Sequence, residues 1–449
     1  MEKIYIRISD NHLQGYMTVN SFEGLTLQYI IEYIQENGIV YGILLSEVQR
    51  VFENKITNTE VLIARGKEPI NGKDGECINY IDRNVSFHTY KIEEDLEFGT
   101  IPIYNIRKRQ KLLKIDQHTP GIQGISVDGK TIVAKDGKPV KLIRGRNIEF
   151  SKYNERYLLS KVDGDLTWDG KEVDISSDYK ILGNVTAKNG HIDFVGNLII
   201  EGDVSDVEIK TLGNLQIDGN VENAKITSSG SVTIKGKCYS SGKGIIFTKE
   251  NIALSRVENY TIRSLKNITI KKECSISTIE AFSILAPEAS ITGGSLSAFE
   301  VIDVNNLGYG ANILTKVIIG NKLYKMRLTK GLEKNIEACQ MSLIELNKRY
   351  GKSLSKKMRT GFIAPEEEID MFLLKEDINE VTTQINDLLS WRIELVKNLS
   401  NSRDSKLVVN GSIYPNVSLY INDLRYENSR IFSSSIFMGQ DNEVTRIPK

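Results

Sequence analysis

Apolar and polar positions alternate through the middle of this 449-residue chain in a pattern that returns at a fixed interval. Gly196-Asn197-Leu198-Ile199-Ile200-Glu201-Gly202-Asp203-Val204 is followed by Gly213-Asn214-Leu215-Gln216-Ile217-Asp218-Gly219-Asn220-Val221 and by Gly230-Ser231-Val232-Thr233-Ile234-Lys235-Gly236-Lys237-Cys238, so the leading glycines stand 17 residues apart. Strand alternation repeated at so short a period predicts a β-solenoid, because one coil buries its apolar face only against stacked neighbours. The register places Leu198, Leu215, Val232, Ile252 and Ile268 in one interior column and Ile200, Ile217, Ile234, Leu254 and Ile270 in the next. Asn197, Asn214, Asn251 and Asn267 form a column at the turn, where stacked amides are expected to hydrogen-bond from coil to coil. Looser copies at Phe282-Ser283-Ile284 and Phe299-Glu300-Val301 carry the pattern on, giving roughly eight coils at ~4.8 Å each.

The period changes on either side of this rod. Toward the amino terminus, Thr26 is placed to cap a helix through Glu36, with Leu27, Ile30, Ile31 and Ile34 at helical spacing and Asn37-Gly38 as its left-handed stop. Ser46 with Gln49 makes a capping-box pattern for a second helix carrying Val48, Val51 and Phe52. Two glycine- and lysine-rich passages follow, Ala64 to Gly75 and His118 to Lys138, whose Asp-Gly and Pro-Gly steps are turn chemistry between short strands. After Asn321 the pattern becomes helical: Leu332, Ile336, Cys339, Leu343 and Leu346 form one seam, and Ile378, Val381, Ile385, Leu388, Leu395 and Leu399 form a second. Gly351, Gly361 and Pro365 interrupt a single long helix, so the two seams are expected to pair as a coiled-coil hairpin leaving near Asn321 and returning near Arg403. The expected divisions are an α+β domain over 1–155, the β-helix over 156–321, the hairpin over 322–403, and a β segment over 404–449 that rejoins the solenoid.

Composition narrows the function classes. Lys and Arg number 58 and balance 58 Asp and Glu, which removes the overall charge that a general nucleic-acid or anionic-membrane binder needs and leaves only local patches. The amino terminus alternates charged and apolar residues and lacks a signal-peptide core, and no apolar run approaches a membrane span. A cytoplasmic location is expected. Cys77, Cys238, Cys274 and Cys339 are scattered without CxxC spacing, against both a disulfide framework and a zinc site.

Candidate chemistry is sparse. Glu201, Asp203 and Asp218 are the carboxylates a carbohydrate-active β-helix enzyme would use, but Glu201, Asp218 and Lys235 share one column and Asp203, Asn220 and Lys237 the next, which reads as a ladder of alternating charge. Asp163-Gly164-Asp165 offers too few oxygens for calcium and reads as a turn. Gly351-Lys352-Ser353 ends like a phosphate loop, but the required earlier glycine falls at Leu346 on the helical seam. His12, His88, His118 and His191 stand apart, with no paired metal-binding spacing. The run Arg107-Lys108-Arg109-Gln110-Lys111-Leu112-Leu113-Lys114 has no interleaved aromatics and reads as a solvated basic face, with an acidic protein partner, and after it nucleic acid, as the functional readings. Arg349, Lys352, Lys356, Lys357 and Arg359 gather at the expected hairpin tip and are the partner-binding candidates. No catalytic, cofactor or metal residue is assigned.

The order of parts resembles the flagellar assembly protein A (FapA) family of bacteria. The likeness rests on Gly38-Ile39-Val40-Tyr41-Gly42 between the two early helices, Ala64 to Gly75, Pro120 to Lys138, the glycine-punctuated β-helix, the helical hairpin and Ile413-Tyr414-Pro415-Asn416-Val417. Gly121 stands where the family has a second turn proline, Asn416 where it has glycine, and the coils after 250 lack the glycines seen at 202, 219 and 236. The resemblance implies a mainly β protein built on a right-handed parallel β-helix, cytoplasmic, and linked to flagellar assembly or placement. It carries no catalytic residues or cofactor. The implied mode of action is scaffolding through protein partners such as flagellar or polar-localisation machinery, or through self-association, with no nucleic acid and no membrane span. The rival readings are a polysaccharide lyase or hydrolase and a self-polymerising β-helix filament.

Overall fold

A computed structural model of the chain describes residues 3–81, 86–91, 98–168, 171–309, 313–320, 322–400, 405–440 and 442–449. The chain forms two compact units: Met1–Tyr80 with Leu112–Leu142 and Arg156–Leu158, and Ile81–Lys111 with Ile143–Glu155 and Leu159–Lys449.

In the first unit, β1 (Ile4–Ile8) and β3 (Glu60–Arg65) flank β2 (Gln14–Val19) in an antiparallel sheet, and helices α1 (Leu27–Glu36) and α2 (Leu45–Glu53) intervene between β2 and β3. Ile30 and Ile34 of α1 and Val48 and Val51 of α2 are buried with Ile4, Met17, Val19 and Ile63 of the sheet. Thr26 caps α1 by accepting the Tyr29 N–H at 3.2 Å, and Gly38 takes the left-handed conformation at φ +87° just beyond the helix. The capping box expected at Ser46 does not form. α2 begins at Leu45 with Leu44 as its cap, so Ser46 already lies in the first turn, where its hydroxyl cannot reach the free N–H groups a cap serves. The two glycine-rich passages pair with each other: Ile70 and Ile122 exchange both backbone hydrogen bonds, and the Gly72 N–H reaches Lys135 O at 2.8 Å. Gly129 makes a tight turn at φ +79°, whereas Gly137 is required by the close approach of Lys73.

In the second unit the solenoid begins with the strand Asp178–Ile181 and runs to Val417–Ile421, each strand pairing in parallel with its counterpart one coil on. The register is Leu198↔Leu215↔Val232↔Ile252↔Ile268 and Ile200↔Ile217↔Ile234↔Leu254↔Ile270, with every member at most 1% exposed. Each such side chain contributes about 2 kcal/mol of burial. The first column continues through Ile284 and Ile302 to Leu407, so losing the corner glycines after 250 alters the repeat to 16 or 18 residues without breaking the core.

Hydrogen bonds at the corners differ from a simple amide stack. Asn197 Oδ1 accepts the backbone N–H of Asn214 at 2.8 Å, Asn214 Oδ1 that of Ser231 at 2.9 Å, and Asn251 Oδ1 that of Asn267 at 3.2 Å. The ladder therefore joins each side chain to the backbone of the next coil, satisfying a turn N–H that would otherwise lack a partner. Asn184, Asp203 and Asn220 form a second such ladder, onto the N–H groups of Asp203, Asn220 and Lys237. Between the ladders, backbones approach so closely that a Cβ on Gly219 would overlap the Gly202 carbonyl and lie 2.5 Å from Asp203 Oδ1. A third corner holds left-handed residues in register: Asp206, Asn223, Asn259, Ile276 at φ 48° and Gly293.

The hairpin is an insertion between coils. α3 (Lys322–Thr360) and α4 (Pro365–Ser400) join through Gly361 at φ +65°; Gly351, expected to break the helix, lies inside α3. Asn321 and Arg403 fall outside the described residues, but the flanking segments meet, since the Gly320 N–H and the Ser405 hydroxyl both donate to Phe299 O at 3.2 Å. After the hairpin the chain adds another coil and closes it with antiparallel strands. Leu424–Asn428 pairs with Val417–Ile421, and Phe432–Gln440 pairs with Lys406–Ile413 and buries Phe437. The solenoid thus ends in antiparallel strands and not in an open parallel coil.

Candidate interaction site on the helical hairpin

Hairpin and solenoid belong to the same compact unit as the segments Ile81–Lys111 and Ile143–Glu155, and side chains fix the hairpin at two places, once against the solenoid and once against those segments. Near the base, Leu332 and Ile336 of α3 are buried with Phe299, and Leu388, Leu389 and Trp391 of α4 pack there beside Leu265 and Phe282 from the solenoid corners. Next to this contact an open cleft of about 730 Å³ separates Cys339 and Trp391 from Lys249 and Lys266. The seam expectation holds for Leu332, Ile336 and Ile385, which are buried, while Cys339, Leu343, Leu346, Ile378, Val381 and Leu388 are half-buried. The side chains of Leu395 and Leu399 lie outside the described residues.

Further toward the tip the contact is ionic. Asp370, Asp377 and Glu380 recur at seven and three residues along α4 and so share one face. Arg109 donates to Asp377 at 2.8 Å and also to Glu380, and Lys111 meets Asp370 at 2.5 Å. Burial works against the Arg109 charge, but the hydrogen bonds to Glu380 and Asp377 outweigh it and hold the guanidinium more firmly protonated. Tyr153 stacks on Phe372 with ring centroids 5.5 Å apart, and its interaction with Glu368 pushes the phenol pKa up. Arg109 and Lys111 are therefore not part of the solvated face that the composition of the run 107–114 suggests, whereas Arg107 and Lys108 are exposed as expected. The acidic partner of these two residues is α4 of the same chain, and the Arg109 contacts span 268 and 271 residues of sequence, beyond the reach of any local pattern.

At the tip, Lys356 pairs with Glu367 at 2.6 Å and Lys357 with Glu368 at 2.7 Å, so two of the five candidate cations are neutralised within the hairpin. Hydrogen bonding to Lys357, then to Tyr153, holds the Glu368 carboxyl below its ordinary range. Arg349, Lys352 and Arg359 are exposed, and among the described residues no ion pair engages them. Lys348, Lys352, Lys356 and Arg359 edge a shallow surface concavity floored by Gly351 and Ser355. Met358 and Phe362 project beside it, 76% and 71% exposed.

The remaining candidates take structural places. Glu201 pairs with Lys180 at 2.6 Å and Asp218 with Lys235 at 2.8 Å, while Asp203 serves the backbone ladder. Asp163 Oδ1 accepts the Lys108 N–H at 2.8 Å and Asp165 Oδ1 the Tyr104 N–H at 2.7 Å; Gly164 and Asp165 open the strand Gly164–Trp168, so the expected turn is instead the start of a paired strand tied to residues distant in sequence. His12 faces Asp128 at 3.5 Å, and the His88 side chain lies outside the described residues. Among the described residues no group of three His, Cys, Asp or Glu side chains is placed to hold a metal, and no helix is long and apolar enough to cross a membrane.

Comparison with protein families accounts for nearly the whole chain: the Flagellar Assembly Protein A N-terminal region matches residues 4–171 and the Flagellar Assembly Protein A beta solenoid domain matches residues 177–444. Comparisons with curated proteins and with solved structures give no match. The stacked coils, the preceding α+β region and the inserted helical pair are thus the parts of one assignment, and the chain belongs to the Flagellar Assembly Protein A family, which supports a flagellar-related role.

Proposed function

We propose that this protein is a non-enzymatic cytoplasmic scaffold in flagellar assembly, acting through protein–protein contacts, with the solenoid as a fixed spacer and the hairpin as the contact element. The observation that carries this reading is the use of the solenoid's polar groups. Its interior is filled by aliphatic columns, its corner amides serve the next coil, and the carboxylates best placed for chemistry, Glu201 and Asp218, are paired with lysines of adjacent coils. A glycosidase needs two carboxylates free to face a substrate about 5 to 9.5 Å apart, and these are engaged elsewhere. The hairpin, by contrast, exposes apolar side chains that packing leaves unused, Met341 and Ile344 on α3 and Ile393 and Val396 on α4.

The test is affinity capture from flagellated cells with the full chain and with a form in which residues 326–398 are replaced by a short Gly/Ser linker. Phe282 and Phe299 are changed to serine in the shortened form, because removing the hairpin uncovers them. The expected result is a soluble, cooperatively melting protein that loses its protein partners. Capture of every partner by the shortened form would refute the hairpin's role, and turnover of a polysaccharide abolished by Asp218→Asn would refute the scaffold reading.

A further inference from the structure

We infer that the tip of the hairpin docks onto an anionic lipid bilayer surface. This goes beyond the scaffold reading, since it gives the tip a lipid partner and leaves protein contacts to the rest of the hairpin.

The chain as a whole has no net charge, but the tip does: between Lys348 and Glu368 lie six basic and three acidic side chains. Pairing divides them unevenly. Glu367 and Glu368 neutralise Lys356 and Lys357, while Lys348, Arg349, Lys352 and Arg359 are exposed and, among the described residues, meet no ion pair. Lys348, Lys352 and Arg359 follow one another at four and seven residues, which puts them along one side of α3. Gly351, Ser355 and Met358 follow at four and three residues on the adjoining stripe, and Phe362 stands just past the helix end. The result is a tip on which two large apolar side chains, more than two thirds exposed, stand beside a shallow basic concavity whose Lys348, Lys352 and Arg359 meet no ion pair among the described residues. A bilayer interface takes up exposed apolar side chains while its anionic headgroups, small enough for the concavity edged by Lys348, Lys352 and Arg359, receive the neighbouring charges. The ionic contacts of Arg109 and Lys111 and the stacking of Tyr153 on Phe372 hold α4 against its own unit just behind the tip, so the apex is presented in a fixed place. Docking of this kind is peripheral and needs no membrane-spanning helix.

The experiment is co-sedimentation of the full chain with extruded vesicles of phosphatidylglycerol and phosphatidylethanolamine, against vesicles of phosphatidylcholine alone. Sedimentation with the anionic vesicles only is expected, lost as salt is raised to roughly 0.5 M, where screening is nearly complete. The triple variant R349E/K352E/R359E should bind at least about tenfold more weakly, and M358S/F362S should weaken binding while keeping its salt dependence. All five positions are exposed, and thermal melts should match the unaltered chain. Phe362→Trp provides an independent reading: brominated anionic lipid should quench the fluorescence added by this tryptophan. Binding to neither vesicle, equal binding to both, undiminished binding by the triple variant, or no quenching would each overturn the inference. If the tip instead takes an acidic protein, the triple variant loses a captured protein and the unaltered chain ignores vesicles, which sinks the lipid proposal and leaves the scaffold reading intact.

Discussion

Removing Arg109 tests whether the hairpin is held in place by charge. Its side chain is 21% exposed and the two carboxylates it bridges are 41% exposed, which places the contact between a surface pair, typically under about 1 kcal/mol, and a buried pair, whose disruption costs about 3 to 5 kcal/mol. About 2 kcal/mol is the expected cost of Arg109→Ala, because two acids lose their shared donor but regain water. That energy should appear in local opening and not in global unfolding, since the base of the hairpin is anchored separately by Phe299, Leu332 and Ile336. Amide hydrogen exchange along α4 from Asp370 to Gln384 should therefore speed up by about thirtyfold, while exchange in the strands Leu215–Ile217 and Val232–Tyr239 stays unchanged. The effect should shrink as salt rises, and Arg109→Asp combined with Asp377→Arg should recover part of the protection. Unchanged exchange in α4, or equal acceleration in α4 and in the coils, would show that the ion pairs hold nothing.

Three further outcomes are expected. Burial holds the Asp165 carboxyl up at about 6, against the opposing hydrogen bonds from the Tyr104 and Leu166 N–H groups. An acid whose pKa is higher folded than unfolded binds its proton more tightly when folded, so its contribution is complete below about pH 4 and is lost as pH rises through about 6. Denaturant melts should show about 1–2 kcal/mol of decline across that window, absent in Asp165→Asn, and parallel pH profiles for the two proteins would contradict the assignment. Gly219→Val should cost several kcal/mol, because the new side chain meets Gly202 backbone, while Asp218→Ala should be nearly silent; indistinguishable melting midpoints would make Gly219 an ordinary surface residue. Ile276→Asn should stabilise by about 1 kcal/mol, since a β-branched residue is strained at φ 48° and asparagine already occupies the same corner at Asn223 and Asn259; a lower midpoint in thermal denaturation would refute this.

What the sequence determined by itself was everything that repeats. Alternation sends Leu198 and Ile200 to one face of a strand, the 17-residue interval stacks them on Leu215 and Ile217, and no other register buries both columns, so the solenoid was legible before any coordinate. The helical pair was legible for the same reason, because the spacing of Leu332 and Ile336 requires a covered face. Helix ends were less so: Thr26 caps α1 as its residue type suggests, but α2 starts at Leu45, where packing of Val48 and Val51 outweighs the modest gain of a cap at Ser46. The resting place of the hairpin belonged to tertiary structure alone. Asp370, Asp377 and Glu380 read as one face of a helix and the run from Arg107 as a basic segment, yet their meeting leaves no periodic trace. An apolar column constrains every coil it crosses, whereas a charge is content with water or with any opposite charge, so which one it meets is settled only when the chain closes on itself.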